Sequence, residues 1–182
     1  MKVIKAKTAG FCFGVKRAVD TVYKQVDTKC GQIYTYGPII HNEEVIKDMR
    51  DKGVIVLRSE EDLDMISQGT VIIRSHGVEK RIYEKIEQKG LRIVDATCPF
   101  VKKIHNIVSE KSGEGFHIII IGNPEHPEVV GIKGWAKDNV TVIQSAEDAE
   151  CFTADRKEKI CIVSQTTFNY NKFKDLVEII MK

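Results

Sequence analysis

Leu91-Arg92-Ile93-Val94-Asp95-Ala96-Thr97-Cys98-Pro99-Phe100-Val101-Lys102-Lys103-Ile104-His105-Asn106-Ile107-Val108 decides the fold. Arg92–Val94 is a short run of strand-forming residues. Pro99 suits the first turn of a helix, where its missing N–H costs nothing. After it, Val101, Ile104, Ile107 and Val108 recur at helical spacing. The segment therefore reads as strand, turn and helix, with a cysteine at the turn.

The same succession extends in both directions. Strands are expected near Val3–Ala6, Gln32–Tyr36, Val54–Leu57, Val71–Arg74, Arg92–Val94, His117–Ile121, Val140–Ile143 and Ile160–Val163. Helices are expected near Val15–Val26, Glu43–Lys52, Glu60–Ile66, Glu79–Gln88, Phe100–Lys111, Pro127–Ala136 and Asn171–Met181. Gly53, Gly90 and Gly122 punctuate the element ends. Strands alternating with helices give parallel sheets flanked by helices. The expectation is an α/β protein of two similar small units. Residues 1–96 form the first, with an N-terminal cysteine loop, and residues 97–182 form the second. The last helix, with Phe173, Leu176, Val177, Ile179 and Ile180, runs to the end without a cap, so the chain is expected to stop early.

Composition narrows the function classes. Hydrophobic residues make up 42% of the 182, enough for a packed core. The 28 basic and 26 acidic residues leave a net charge of +2 and form no basic block, so nucleic acid is not implied. Apolar runs such as Ile118–Ile121 fall far short of the roughly 20 residues a membrane helix needs. The N-terminus carries no apolar stretch or cleavage site of a secretory signal, and a cytoplasmic location is expected. In that reducing compartment the five cysteines, Cys12, Cys30, Cys98, Cys151 and Cys161, are not expected to form structural disulfides. Cys161, inside an apolar strand, reads as packing, and Cys30 and Cys151 as residues without a chemical role.

The other polar residues of interest share one kind of position. Cys12 (A-G-F-C-F-G-V-K), His41 (G-P-I-I-H-N), His76 (R-S-H-G), Cys98 (D-A-T-C-P-F), His126 and Glu128 (G-N-P-E-H-P-E), and Thr166 and Thr167 (V-S-Q-T-T) each follow an expected strand, most of them with a helix next. Such loops lie at the carboxyl edge of a parallel sheet, where ligands bind. One cleft lined by thiols, imidazoles, a carboxylate and hydroxyls is therefore expected. Helix N-termini favour anions, so a phosphate or diphosphate is the natural guest. Helix N-termini also favour thiolates, which are nucleophiles or metal ligands. Plainer alternatives stand beside this: Glu128 as a first-turn acid, Thr166 and Thr167 as helix caps, and His105 and His117 as structural or exposed. The thiols suit zinc or iron–sulfur equally, and no C-x-x-C pair decides between them.

The motifs A-G-F-C-F-G-V-K-R-A-V, G-P-I-I-H-N, R-S-H-G-V, D-A-T-C-P-F-V, G-N-P-E-H-P-E-V-V-G and V-S-Q-T-T, in this order from Ala9 to Thr167, resemble those of the 4-hydroxy-3-methylbut-2-enyl diphosphate reductase family. The resemblance implies three α/β units around a central cleft and a 4Fe–4S cluster. Cys12 and Cys98 would be two of its metal ligands. It implies that His41, His76 and His126 bind the substrate diphosphate, that Glu128 is the catalytic proton donor, and that Thr166, with Thr167 beside it, contacts substrate. The implied reaction is the reductive dehydroxylation that ends the non-mevalonate isoprenoid pathway, yielding isopentenyl and dimethylallyl diphosphate. Its electron donor would be a ferredoxin or flavodoxin. The implied third unit, with the third cysteine and Ser/Asn contacts to diphosphate, has no counterpart here. The chain is expected to be an N-terminal piece, holding the cluster weakly and inactive alone. Two rivals remain: a non-catalytic phosphate-binding module, and a cysteine-nucleophile phosphatase-like enzyme in which Arg17 follows Cys12.

Overall fold

A computed structural model describes residues 2–28, 31–155 and 157–182; Cys30 lies outside the described residues. The elements run α1 (Phe13–Thr28), β1 (Ile33–Tyr36), α2 (Glu43–Asp51), β2 (Ile55–Leu57), α3 (Glu60–Asp64), β3 (Thr70–Ile73), α4 (Lys80–Gln88) and β4 (Arg92–Asp95). They continue with α5 (Pro99–Gly113), β5 (His117–Ile121), α6 (Pro127–Lys133), β6 (Val140–Ile143), α7 (Ala146–Cys151), β7 (Ile160–Ser164) and α8 (Tyr170–Ile180).

The strands form two sheets, ordered β2-β1-β3-β4 and β6-β5-β7. Every pairing is parallel. The central strands β3 (T-V-I-I) and β5 (H-I-I-I-I) are almost wholly apolar because both of their faces are covered. In the second sheet Ile118 and Ile120 pack with Val108, Val129 and Ile132 on one face. Ile119 and Ile121 pack with Ile143, Ala149 and Leu176 on the other.

Strand order also sets where a ligand can go. In the first sheet the chain leaves β1 toward β2, then returns to the other side of β1 as β3. In the second it leaves β5 toward β6 and returns as β7. The helices that follow diverge at these two reversal points, opening a crevice at the carboxyl ends of β1/β3 and of β5/β7.

Two expectations are corrected. Residues 2–6 form no strand, and Val3 and Ile4 are 80% and 79% exposed. Strand propensity is realised only against a neighbouring strand, and these residues join neither sheet. Cys12 therefore follows irregular chain, though it does precede a helix. Conversely, α7 was not anticipated. Its six residues are too few for periodicity, and its signal is a capping box in which Ser145 accepts from Asp148 N and the Asp148 carboxylate accepts from Ser145 N.

The two sheets meet along a seam. Trp135 Nε1 donates to Val78 O (2.9 Å), and Lys80 N donates to Gly134 O (3.4 Å). The His105 ring stacks on Trp135, with centroids 5.0 Å apart and planes 18° apart. His105 is 1% exposed, and its Nε2 has no hydrogen-bond partner among the described residues. Burial pushes its pKa down to about 4, with Asp95 opposing the shift. The folded protein thus resists a proton that the unfolded chain accepts near pH 6.5. Stability should be complete above that pH and fall as pH drops toward 4, by up to about 3 kcal/mol for this group. His105→Phe, which keeps the stacking, should flatten that part of the urea-midpoint profile between pH 4 and 6.5; an unchanged slope would contradict the assignment.

Candidate functional site

Three imidazoles gather at the two crevices. His41 lies in the loop after β1, His76 in the turn after β3, and His126 at the start of α6 after β5. Their ring centroids are 4.8 Å (His41–His76), 5.5 Å (His76–His126) and 6.4 Å (His41–His126) apart. One ring nitrogen from each lies within 4.8 Å of the others.

Hydrogen bonds hold each loop in place. The Ser75 amide and hydroxyl both donate to Ile39 O (3.3 and 3.1 Å), joining the His76 turn to the His41 loop. Asn42 caps α2 by accepting from Val45 N. Gly77, at φ +72°, turns the chain after His76; a Cβ there would strike the His105 ring. His126 caps α6 with its own ring, Nδ1 accepting from Glu128 N (3.1 Å). In the neutral ring the proton is thereby placed on Nε2, leaving that atom as a donor.

Burial keeps His76 and His126 neutral. His76 is pushed down to about 4, chiefly by desolvation, with His41, Arg74 and His126 adding to it. His126 is also lowered by burial; Glu128 opposes the shift while His41 and Arg74 reinforce it. At neutral pH His76 and His126 are therefore hydrogen-bond donors without charge.

The neighbouring carboxylate comes from the same helix. Glu128 is 2% exposed in the first turn of α6. Its Oε1 accepts from Thr166 N (2.6 Å) and its Oε2 from Thr166 Oγ1 (2.9 Å), joining α6 to the loop after β7. Thr166 and Thr167 are not helix caps, since Asn169 caps α8. Thr167 Oγ1 accepts instead from Gln165 Nε2 (2.9 Å), whose Oε1 accepts from Asn123 N. Thr167 thus braces the loop, while Thr166 meets the acid.

Cys98 sits at the N-cap of α5 with Pro99 behind it, and its side chain makes no capping bond. Its amide donates to Ser75 O (2.9 Å), so the thiol loop hangs from the same residue that joins His41 to His76. Cys12 is exposed and directly precedes α1, its carbonyl accepting from Lys16 N. Two residues on, Gly14 faces Cys98: a Cβ on Gly14 would lie 2.6 Å from Cys98 Sγ. The first helix thus approaches the sulfur through the absence of a side chain. Two thiols at two helix starts, with that space kept open, fit two of the thiolate positions of an iron–sulfur cluster.

Neither remaining described cysteine joins them. Cys151 ends α7 in a hollow with His117, at the amino edge of the second sheet. Cys161 lies inside β7, where burial pushes its thiol up. His117 is held by Glu158 and Thr141. The Arg17 guanidinium is engaged by the carbonyls of Thr97 (2.8 Å) and Asp95 (3.3 Å), so it supports the Cys98 loop and does not form a phosphatase-type loop with Cys12.

Ser75, Arg74 and Gln165 had no assigned role in the sequence, although each lies inside a quoted motif. Their signal was position next to a histidine or threonine at a strand end.

Comparison with known proteins is consistent with this geometry. The family model described as LytB protein matches residues 3–182. A curated protein of Thermoanaerobacter sp., "4-hydroxy-3-methylbut-2-enyl diphosphate reductase", is 48% identical over 182 residues, covering 99% of this chain and 62% of that protein. One of the same name from Clostridioides difficile is 42% identical, covering 100% of this chain and 67% of that protein. The solved E-1-hydroxy-2-methyl-but-2-enyl-4-diphosphate reductase from Plasmodium falciparum superposes with a TM-score of 0.89 at 30% identity, over 96% of this chain and 54% of that one. A second, (E)-4-hydroxy-3-methyl-but-2-enyl diphosphate reductase, the terminal enzyme of the non-mevalonate pathway, gives 0.81 at 37%, over 98% and 63%. The chain spans about 62% of the length of the first curated relatives it matches. With its motifs, sheets and nearly all of its length matched, this chain belongs to the LytB protein family.

Proposed function

We propose that this chain is the part of a 4-hydroxy-3-methylbut-2-enyl diphosphate reductase that holds the substrate diphosphate, delivers a proton to the departing hydroxyl and supplies two cysteine ligands to a 4Fe–4S cluster. The observation that carries this reading is the convergence of three imidazoles, within 4.8 Å of one another through one nitrogen each, beside a buried Glu128–Thr166 pair, with the Cys98 loop bonded to the residue that precedes His76. The division into units 1–96 and 97–182 belongs to the same proposal, supported by two sheets that exchange no strands.

The reaction consumes two electrons and two protons, breaks the allylic C–O bond, forms a C–H bond and releases water. Hydroxide leaves poorly, so the oxygen must be protonated as the bond breaks. Glu128 is suited to this: its carboxyl is shielded from water, aimed by two bonds from Thr166, and rooted beside His126. His41, His76 and His126 present ring nitrogens to the diphosphate, remote from the breaking bond, so that binding there orients the allylic end. When bound, the cluster supplies electrons singly and an iron that acts as a Lewis acid. Cys12 and Cys98 would hold it. The electron donor is a ferredoxin or flavodoxin, and the need for reduced thiols fits the cytoplasm.

Three measurements test the reading. In calorimetric titration of the chain with inorganic pyrophosphate, His76→Ala should weaken binding about 10-fold, the worth of one or two hydrogen bonds to a charged ligand; equal affinity would remove His76 from the site. After anaerobic reconstitution with iron and sulfide, Cys98→Ser should abolish the visible absorption, and an undiminished spectrum would exclude Cys98 as a ligand. In the reductase, Glu128→Gln should lower kcat by about 10²–10⁴ with substrate affinity retained; undiminished turnover would assign the proton to another group.

A further inference from the structure

A diphosphate carries fixed negative charge, and the histidine trio does not supply a matching one: His76 and His126 are uncharged at neutral pH. A guanidinium is charged under all ordinary conditions. Arg74 directly follows β3, two residues before His76, and its charge acts on both His76 and His126.

Its surroundings are those of a cation awaiting a partner. Arg74 is half-buried, and desolvation is the main influence on it. Nε donates to Gly77 O (3.3 Å), on the far side of His76. Nη1 lies over Gly37, the first residue of the His41 loop, so closely that a Cβ there would come within 2.5 Å of it. The guanidinium thus spans the two loops that carry His41 and His76. It lines a cavity of about 540 Å³ with Gly37, Pro38, Arg58, Glu43 and Glu44. Neither glutamate pairs with it, and it has no carboxylate within salt-bridge distance among the described residues. Withdrawing a cation from water without a counter-charge is costly, and an anion at the trio would offset that cost.

We infer that Arg74 is a binding residue for the ligand diphosphate, supplying the fixed positive charge beside the three imidazoles. This rests on the proposed diphosphate role of the trio. A planar fork spanning the loops that carry His41 and His76 can reach phosphate oxygens in pairs, and it selects ligands bearing a full dianionic or more highly charged group over neutral alcohols.

Inorganic pyrophosphate titrated into the chain tests it, with circular dichroism confirming that each variant folds. Arg74→Gln should raise Kd about 10- to 100-fold, as expected for losing a charge-assisted bond. Arg74→Lys keeps the charge without the fork and should recover part of the loss. Arg58→Gln, an exposed wall of the same cavity, should stay within about twofold because solvent screens it. Wild-type-like affinity in Arg74→Gln, with His76→Ala still impaired, would overturn this inference alone. Equal losses for Arg74→Gln and Arg58→Gln would also overturn it, in favour of a diffuse field. If Arg74→Gln does not fold, unchanged affinity in Arg74→Lys together with loss in Arg58→Gln would do the same. Failure of the wild-type chain to bind pyrophosphate would overturn the role of the trio, and this inference with it.

Discussion

Ser75 ties together three loops that the sequence keeps far apart. Its amide and hydroxyl donate to Ile39 O, and its carbonyl accepts from the Cys98 amide. It is 5% exposed, so these bonds form where water does not compete. Through them the loop bearing His41, the turn bearing His76 and the helix start bearing Cys98 keep a fixed relation. Arg17 reinforces the arrangement from α1 by binding the carbonyls of Asp95 and Thr97. The Cys98 thiol and the His41 and His76 rings are therefore positioned by bonds of their loops and not by hydrogen bonds of their own, which leaves their polar atoms free for a ligand.

The electrostatic design follows from the same burial. Burial, reinforced by His41 and Arg74, suppresses protonation of His76 and His126. What remains is a set of neutral donors and one guanidinium, close to a carboxylate that would repel an anion if it were freely exposed. Glu128 is instead covered and bonded by Thr166. An acid and an anion-binding surface can thus share one edge, because the acid's oxygens turn toward β7 and the imidazoles turn toward each other.

Much of this was legible in the sequence. Strand–loop–helix periodicity located fourteen expected elements well, since β3 and β5 are continuous apolar runs and α5 carries a regular apolar stripe. The meeting of His41, His76 and His126, and of Glu128 with Thr166, was legible because a parallel sheet gathers its strand-end loops at one edge. Three things were not. The strand expected at Val3–Ala6 needed a partner that periodicity does not report. The helix α7 was too short to show a period. Arg74 and Ser75 act through a guanidinium that spans two loops and through a backbone carbonyl, and neither contact leaves a mark in residue type or spacing. The division of labour between Thr166 and Thr167 was equally invisible, because it depends on which hydroxyl faces Glu128 and which faces Gln165.

The seam at Trp135 gives the histidine cluster a further property. His41 and His76 hang from the first sheet and His126 from the second, so the trio exists only while the two sheets hold their relative orientation. That orientation is kept by a small contact: an indole donating to the Val78 carbonyl, the Tyr83 ring set edge-on against Trp135, and glycine backbones at Gly77 and Gly131 in close approach. An anion spanning the three rings would act as a clasp across this joint. By mass action it would favour the docked state over any splayed one in proportion to its concentration relative to Kd, so that ligand capture and cohesion of the two halves become one equilibrium.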